Sequence, residues 1–86
     1  MGNMWPKCSV YMLVSLADST QSYIGITSNV PARLAAHNMR QVPHTSKHVP
    51  WRVQVVVTFR DEQTALRFER YLKTGSGRAF AKRHFK

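Results

Sequence analysis

The chain is predicted to be an α+β domain: a three-stranded, mainly antiparallel sheet flanked by helices, in the order β-β-α-β-α-α. Three features lead there. Two β-rich runs, residues 10–16 and Ser22–Thr27, are separated by the polar, turn-prone Ala17-Asp18-Ser19-Thr20-Gln21, which is the pattern of a hairpin. A third run alternates Trp51, Val53, Val55, Val57 and Phe59 with Arg52, Gln54, Val56 and Thr58, as a half-buried strand does. The segments between and beyond carry helical spacing and helix caps.

Taken in order, residues 1–7 form a flexible lead-in in which Pro6 stops any early helix. Residues 10–16 are almost continuously apolar, so this strand is expected to be covered on both faces. In the second strand Gly25 has no packing value, which suggests that something approaches the backbone closely there. Ser28 or Asn29 is placed to cap the first helix, and Pro31 falls in its tolerant first turn. That helix, over 30–39, puts Val30, Arg33, Leu34 and His37 on one side. Residues 40–50 contain two prolines and no periodicity, and are expected to be loop. Asp61 caps a helix over 62–74, with Glu62 near its positive end and Ala65, Phe68 and Leu72 as its apolar stripe. Gly75 is expected to end that helix as its C′ residue, and Ser76 to cap a short last helix anchored by Phe80 and Phe85.

Eighty-six residues allow one domain with a small core, expected over 8–86. Thirteen Lys and Arg against four acidic residues give a formal charge of +9, which suits a polyanion: nucleic acid or an anionic membrane surface. Pure binders share that imbalance, so charge alone indicates a partner and no chemistry. Cys8 is the only cysteine, which excludes an internal disulfide and favours a reducing, cytoplasmic setting. No signal-peptide pattern and no apolar stretch of roughly 18 residues is present, so a soluble protein is expected, with no membrane partner.

Five side chains stand out chemically. With about 100° of rotation per residue, Glu69 lies within the side of its helix that faces the sheet. A carboxylate held there is costly unless it is paired, for instance with Arg33 or Arg70, or bound to a cation. Arg33 and His37 share a helix face one turn apart. A guanidinium can grip phosphate oxygens, and an imidazole can accept a proton near neutrality, although both are also ordinary surface residues. Tyr11 and Tyr23 are common strand residues on packing grounds alone. Their hydroxyls can serve one site only if the hairpin register puts both on the same face, and a slip of one residue would separate them.

Other groups carry less. His44, His48 and Cys8 lack a CxxC partner and a fourth ligand for zinc. Gly75-Ser76-Gly77 could hold a phosphate at a helix start, but is read as punctuation between helices. Arg67, Arg70, Lys73, Arg78, Lys82, Arg83 and Lys86 are expected to form a solvated surface that faces DNA.

These residues resemble the GIY-YIG endonuclease superfamily, in its compact single-domain form similar to the N-terminal nuclease domain of the repair excinuclease. Ser9-Val10-Tyr11 stands where Gly-Ile-Tyr is usual, and Tyr23-Ile24-Gly25 matches the second motif in full. The ten residues from Tyr23 to Arg33, the four more to His37, and Glu69 downstream fit the family's order and spacing. The chain departs from the pattern at Ser9, at Ile26, where a lysine is frequent, and at Ala81, where an asparagine is frequent. The resemblance implies a metal-dependent phosphodiesterase acting on duplex, nicked or branched DNA, with Glu69 holding Mg²⁺ or Mn²⁺. It implies that Tyr11 takes a proton from water with His37 as neighbouring base. Arg33 would neutralise developing charge, and Tyr23 would orient water or phosphate. Arg33, Arg70, Lys73, Arg78, Lys82 and Arg83 are the expected nucleic-acid contacts, and a second copy or a partner protein would supply specificity. The alternatives are an inactive nucleic-acid-binding module on the same fold, and a basic RNA-associated protein with no metal site.

Overall fold

The computed structural model describes residues 8–86; the lead-in expected over 1–7 lies outside the described residues. Three strands, Cys8–Ser15 (β1), Ser22–Thr27 (β2) and Trp51–Phe59 (β3), form one antiparallel sheet with β1 in the middle. Helix Val30–Asn38 (α1) follows the hairpin, and Glu62–Leu72 (α2) and Gly75–His84 (α3) follow β3. The central place of β1 explains its nearly unbroken apolar sequence, since both of its faces are covered. On one face Tyr11 and Leu13 pack with Trp51, Val53 and the α1 residues Val30 and Leu34. On the other, Val10 packs with Ala65, Leu72 and Ala81 of α2 and α3, ringed by Phe59, Phe68, Phe80 and Phe85. Among the described residues no helix is long and apolar enough to cross a membrane.

Local chemistry sets the helix starts. The Asn29 side chain accepts the Ala32 N–H at 3.1 Å, and Asp61 accepts that of Thr64 at 2.8 Å. At the end of α1, Arg40 takes a left-handed conformation (φ 59°), its N–H bonding the His37 carbonyl while the Gln41 N–H reaches that of Ala36. This is the paired bonding of a Schellman turn, made here without glycine.

Three expectations are corrected. Strict alternation would put Trp51, Val53, Val55, Val57 and Phe59 on one side of β3. Instead Met12 pairs with Val55 but Leu13 with Val53, so Gln54 is an extra, bulged residue. Trp51 and Val53 therefore face α1, whereas Phe59 packs on the α2 face. The loop expected over 40–50 contains a 3-10 helix, Pro43–His48. One distant and one nearby partner hold it: Ser15 Oγ donates to the His48 carbonyl at 2.6 Å, and Trp51 Nε1 to that of Thr45 at 2.9 Å. Finally, α2 ends without a left-handed glycine, and Thr74 rather than Ser76 caps α3. The Thr74 hydroxyl donates to the Tyr71 carbonyl at 2.6 Å and accepts the Gly77 N–H at 3.1 Å, so one side chain links both helices. Gly77 is buried where a Cβ would run into the Tyr71 carbonyl, which is why the two helices can pack so closely.

Candidate active site

The hairpin register places Tyr11 opposite Gly25 and Leu13 opposite Tyr23, so both phenols lie on the face covered by α1. Their ring centroids are 6.2 Å apart. The close approach anticipated at Gly25 is made by Tyr11 itself: a Cβ at Gly25 would overlap the end of the tyrosine ring, including Cε1 at 2.8 Å. Glycine here is room for the phenol. At the start of the hairpin, Ser9 Oγ and Thr58 Oγ1 lie 2.8 Å apart, a cross-strand bond that accommodates the serine in the first motif.

Helix α1 supplies the next two groups. The His37 ring stands 4.8 Å from that of Tyr23 and 5.9 Å from that of Tyr11. Its Nε2 is 3.0 Å from the Tyr11 hydroxyl, and its Nδ1 is 2.8 Å from Thr45 Oγ1. Tyr11, His37 and Thr45 are 1%, 0% and 1% exposed, so the chain of polar atoms is almost wholly buried. It is also complete, since no buried side-chain nitrogen or oxygen among the described residues lacks a partner. The half-buried Arg33 sits against the Tyr11 hydroxyl and beside that of Tyr23.

Burial and charge set the protonation states. Burial raises the Tyr11 pKa, and the adjacent Arg33 opposes that rise without reversing it, so the phenol is neutral at pH 7. Burial, followed by the charge of Arg33, lowers the His37 pKa, so the imidazole is neutral as well. The contact with Tyr11 is the main reason the Arg33 pKa is raised, and the guanidinium stays charged. Tyr11, Tyr23, Arg33 and His37 are thus gathered into one cluster.

Glu69 makes its contact outside this cluster. It projects from α2, with its side chain 14% exposed, and its Oε2 lies 2.5 Å from Lys73 Nζ. Its partner is therefore Lys73, neither Arg33 nor Arg70. The Lys73 charge reaches Tyr11, and Lys73 lines an open cleft of about 960 Å³ together with Tyr23. Among the other acids, Asp18 accepts from Thr20 and Asp61 caps α2, with Glu62 in the first turn beside it. No group of three His, Cys, Asp or Glu that could hold a metal occurs among the described residues. A single carboxylate fits a hard cation such as Mg²⁺, which keeps several waters and takes further oxygens from a phosphate.

The cleft beside Tyr23 is basic. Lys73, Arg78 and Lys82 line it with Lys86, while His44 and His48 stand on its opposite wall. Arg70 and Arg83 are exposed but do not line it. The residue that the sequence alone did not single out is Thr45; its only signal was a position eight residues beyond His37 in a segment without periodicity.

An antiparallel sheet that sets two phenols under a helix bearing arginine and histidine, with Glu69 on a second helix, defines a compact α+β domain with a phenol–imidazole–guanidinium site. The family model described as the GIY-YIG catalytic domain matches residues 7–83, and the chain belongs to that family of nucleases. Comparison with curated proteins finds no match. Ile26 and Ala81 both pack in the apolar cluster around Val10.

Proposed function

We propose that the protein is a divalent-metal-dependent DNA endonuclease of the cytoplasm that nicks duplex DNA or cuts nicked or branched DNA. The observation that carries this reading is the Tyr11–His37 hydrogen bond with Arg33 interacting with the same phenol, next to Tyr23, which lines a basic cleft. The phosphate backbone would lie along Lys73, Arg78 and Lys82, with Arg70 and Arg83 meeting its flanks, and binding would weaken with salt. Arg33 would grip the scissile phosphate at the hydroxyl edge.

Tyr11 is a poor base by itself because its proton is held tightly. Water loses a proton to Tyr11 Oη as the Tyr11 proton passes to His37 Nε2, so neither group needs an extreme pKa. The resulting hydroxide forms a new P–O bond, the P–O3′ bond breaks, and the 3′ oxygen takes a proton from solvent. Tyr23, which is open to the cleft, would orient the water or phosphate. Glu69 would hold a Mg²⁺ or Mn²⁺ ion that supplies Lewis-acid stabilisation of phosphate and leaving-group charge. A domain of this size grips a short stretch of duplex, so a second copy or a partner protein would add specificity.

A second reading, a nucleic-acid-binding module with little or no turnover, is favoured by the 1% exposure of Tyr11 and by the engagement of Glu69 with Lys73. Supercoiled plasmid, incubated with Mg²⁺ or Mn²⁺, separates the two. The endonuclease produces nicked circles, and Glu69→Ala or Arg33→Ala slows this by about 100-fold or more. Plasmid, flap and branched substrates left intact by the unaltered protein would establish the binding module instead.

A further inference from the structure

We propose that Thr45 is a positioning residue that holds His37 in the Nδ1-protonated tautomer, keeping the Nε2 lone pair on Tyr11. Its catalytic consequence rests on the endonuclease reading; its structural content does not. The two ends of the hydrogen-bonded chain favour the same proton positions, Thr45 the more strongly because it lies closer to its ring nitrogen than Tyr11 does. Thr45 Oγ1 lies 2.8 Å from His37 Nδ1 and donates to the Val42 carbonyl at 3.3 Å. With its own proton directed to that carbonyl, the hydroxyl presents a lone pair to Nδ1, which must then carry hydrogen.

The other end of the chain favours the same orientation. The Tyr11 hydroxyl lies 3.0 Å from His37 Nε2 and interacts with the nearby Arg33, whose guanidinium can only donate. Among these partners only Nε2 can accept the phenol proton. The reverse tautomer would aim two donors, His37 Nε2–H and the Arg33 guanidinium, at one phenol oxygen. The directional order is therefore Tyr11 O–H to His37 Nε2, His37 Nδ1–H to Thr45 Oγ1, and Thr45 O–H to the Val42 carbonyl.

The segment that carries Thr45 is fastened for this purpose. Its carbonyl accepts Trp51 Nε1 at 2.9 Å, and Asn38, at the end of the helix that bears His37, bonds both the N–H and the carbonyl of Trp51. Histidine and threonine are thus tied to one tryptophan, which limits their relative movement. During turnover the Tyr11 proton needs a vacant Nε2, and the imidazolium that forms keeps its second N–H on Thr45.

Long-range ¹H–¹⁵N spectra of the labelled protein at neutral pH test this directly, with Thr45→Val removing the acceptor and Thr45→Ser retaining it. The unaltered protein and Thr45→Ser should show a protonated Nδ1 and a bare Nε2. Thr45→Val should shift the ring toward the Nε2–H form and lower kcat about tenfold or more at similar KM, with Thr45→Ser recovering most of the rate. Should Thr45→Val fail to fold, Tyr11→Phe serves as second variant: the ring must stay Nδ1-protonated after its other partner is removed. A bare Nδ1 in the unaltered protein, or a Thr45→Val spectrum identical to it, overturns the proposal. A shifted Thr45→Val spectrum beside uncut plasmid supports the positioning role and removes the endonuclease reading alone.

Discussion

On the face of the sheet that meets α1, Tyr11, His37 and Thr45 are as deeply buried as Leu13, and each uses a polar atom to hold its neighbour. On the face that meets α2 and α3, the buried groups are Val10, Ala65, Leu72 and Ala81, packed against aromatic rings. The strand between them presents tyrosine to one environment and valine to the other at adjacent positions. Burial on the apolar face is non-directional and supplies stability in proportion to area. Hydrogen bonds on the opposite face contribute less net stability but fix distances and proton directions. Ile26 and Ala81 serve as apolar packing on the face that meets α2 and α3, whereas the phenol and imidazole are hydrogen-bonded on the other.

Substitutions can break this division of labour. The largest effect is expected for Tyr11→Phe, which keeps the ring and removes the link between Arg33 and His37. Plasmid nicking should fall by about 10²–10⁴-fold, while circular dichroism reports an unchanged fold. Phe80→Ala is the converse. Its ring packs against Phe68, Tyr71 and Phe85, so urea unfolding should show a loss of about 2–3 kcal/mol, with nicking per folded molecule little altered.

Acid provides an intermediate perturbation confined to the polar face. The folded His37 pKa lies below its ordinary value of 6.5, so below that pH the unfolded chain binds the proton more readily than the folded one. The His37 contribution is fully present above pH 6.5 and is lost as pH falls through the folded pKa. Denaturant midpoints should drop on acidification across that window, and His37→Gln should flatten the drop; an unaltered slope would mean that His37 is not the group responsible. The smallest effect is expected at Arg40, which ends α1 in the left-handed region. Arg40→Gly should raise stability by about 1 kcal/mol, seen as a higher Tm, with no change in nicking.

Much of the architecture was legible in local patterns. Hairpin, caps at Asn29 and Asp61, and helix positions follow from periodicity and short-range hydrogen bonding, which neighbouring residues decide among themselves. The failures share a different cause. Gln54 looks like the polar half of an alternating strand, and only its pairing with β1 reveals the bulge that turns Trp51 toward the site. The 3-10 helix has no periodicity, and one of the bonds that hold it comes from Ser15, 33 residues away from its partner His48. Thr74 displaced Ser76 as a cap because it could bond two helices at once.

Among the site residues, Tyr11, Tyr23, Arg33, His37 and Glu69 could be nominated from order and spacing, because each lies at a set place within a local element. What the sequence by itself determined was this inventory, the sequence of strands and helices, and the positive charge that calls for a polyanion. Tertiary structure alone decided that the phenols share a face and that Thr45 reaches His37. The physical reason is range: caps and periodicity act over one or two turns, whereas register, burial and proton direction depend on partners brought together only by folding.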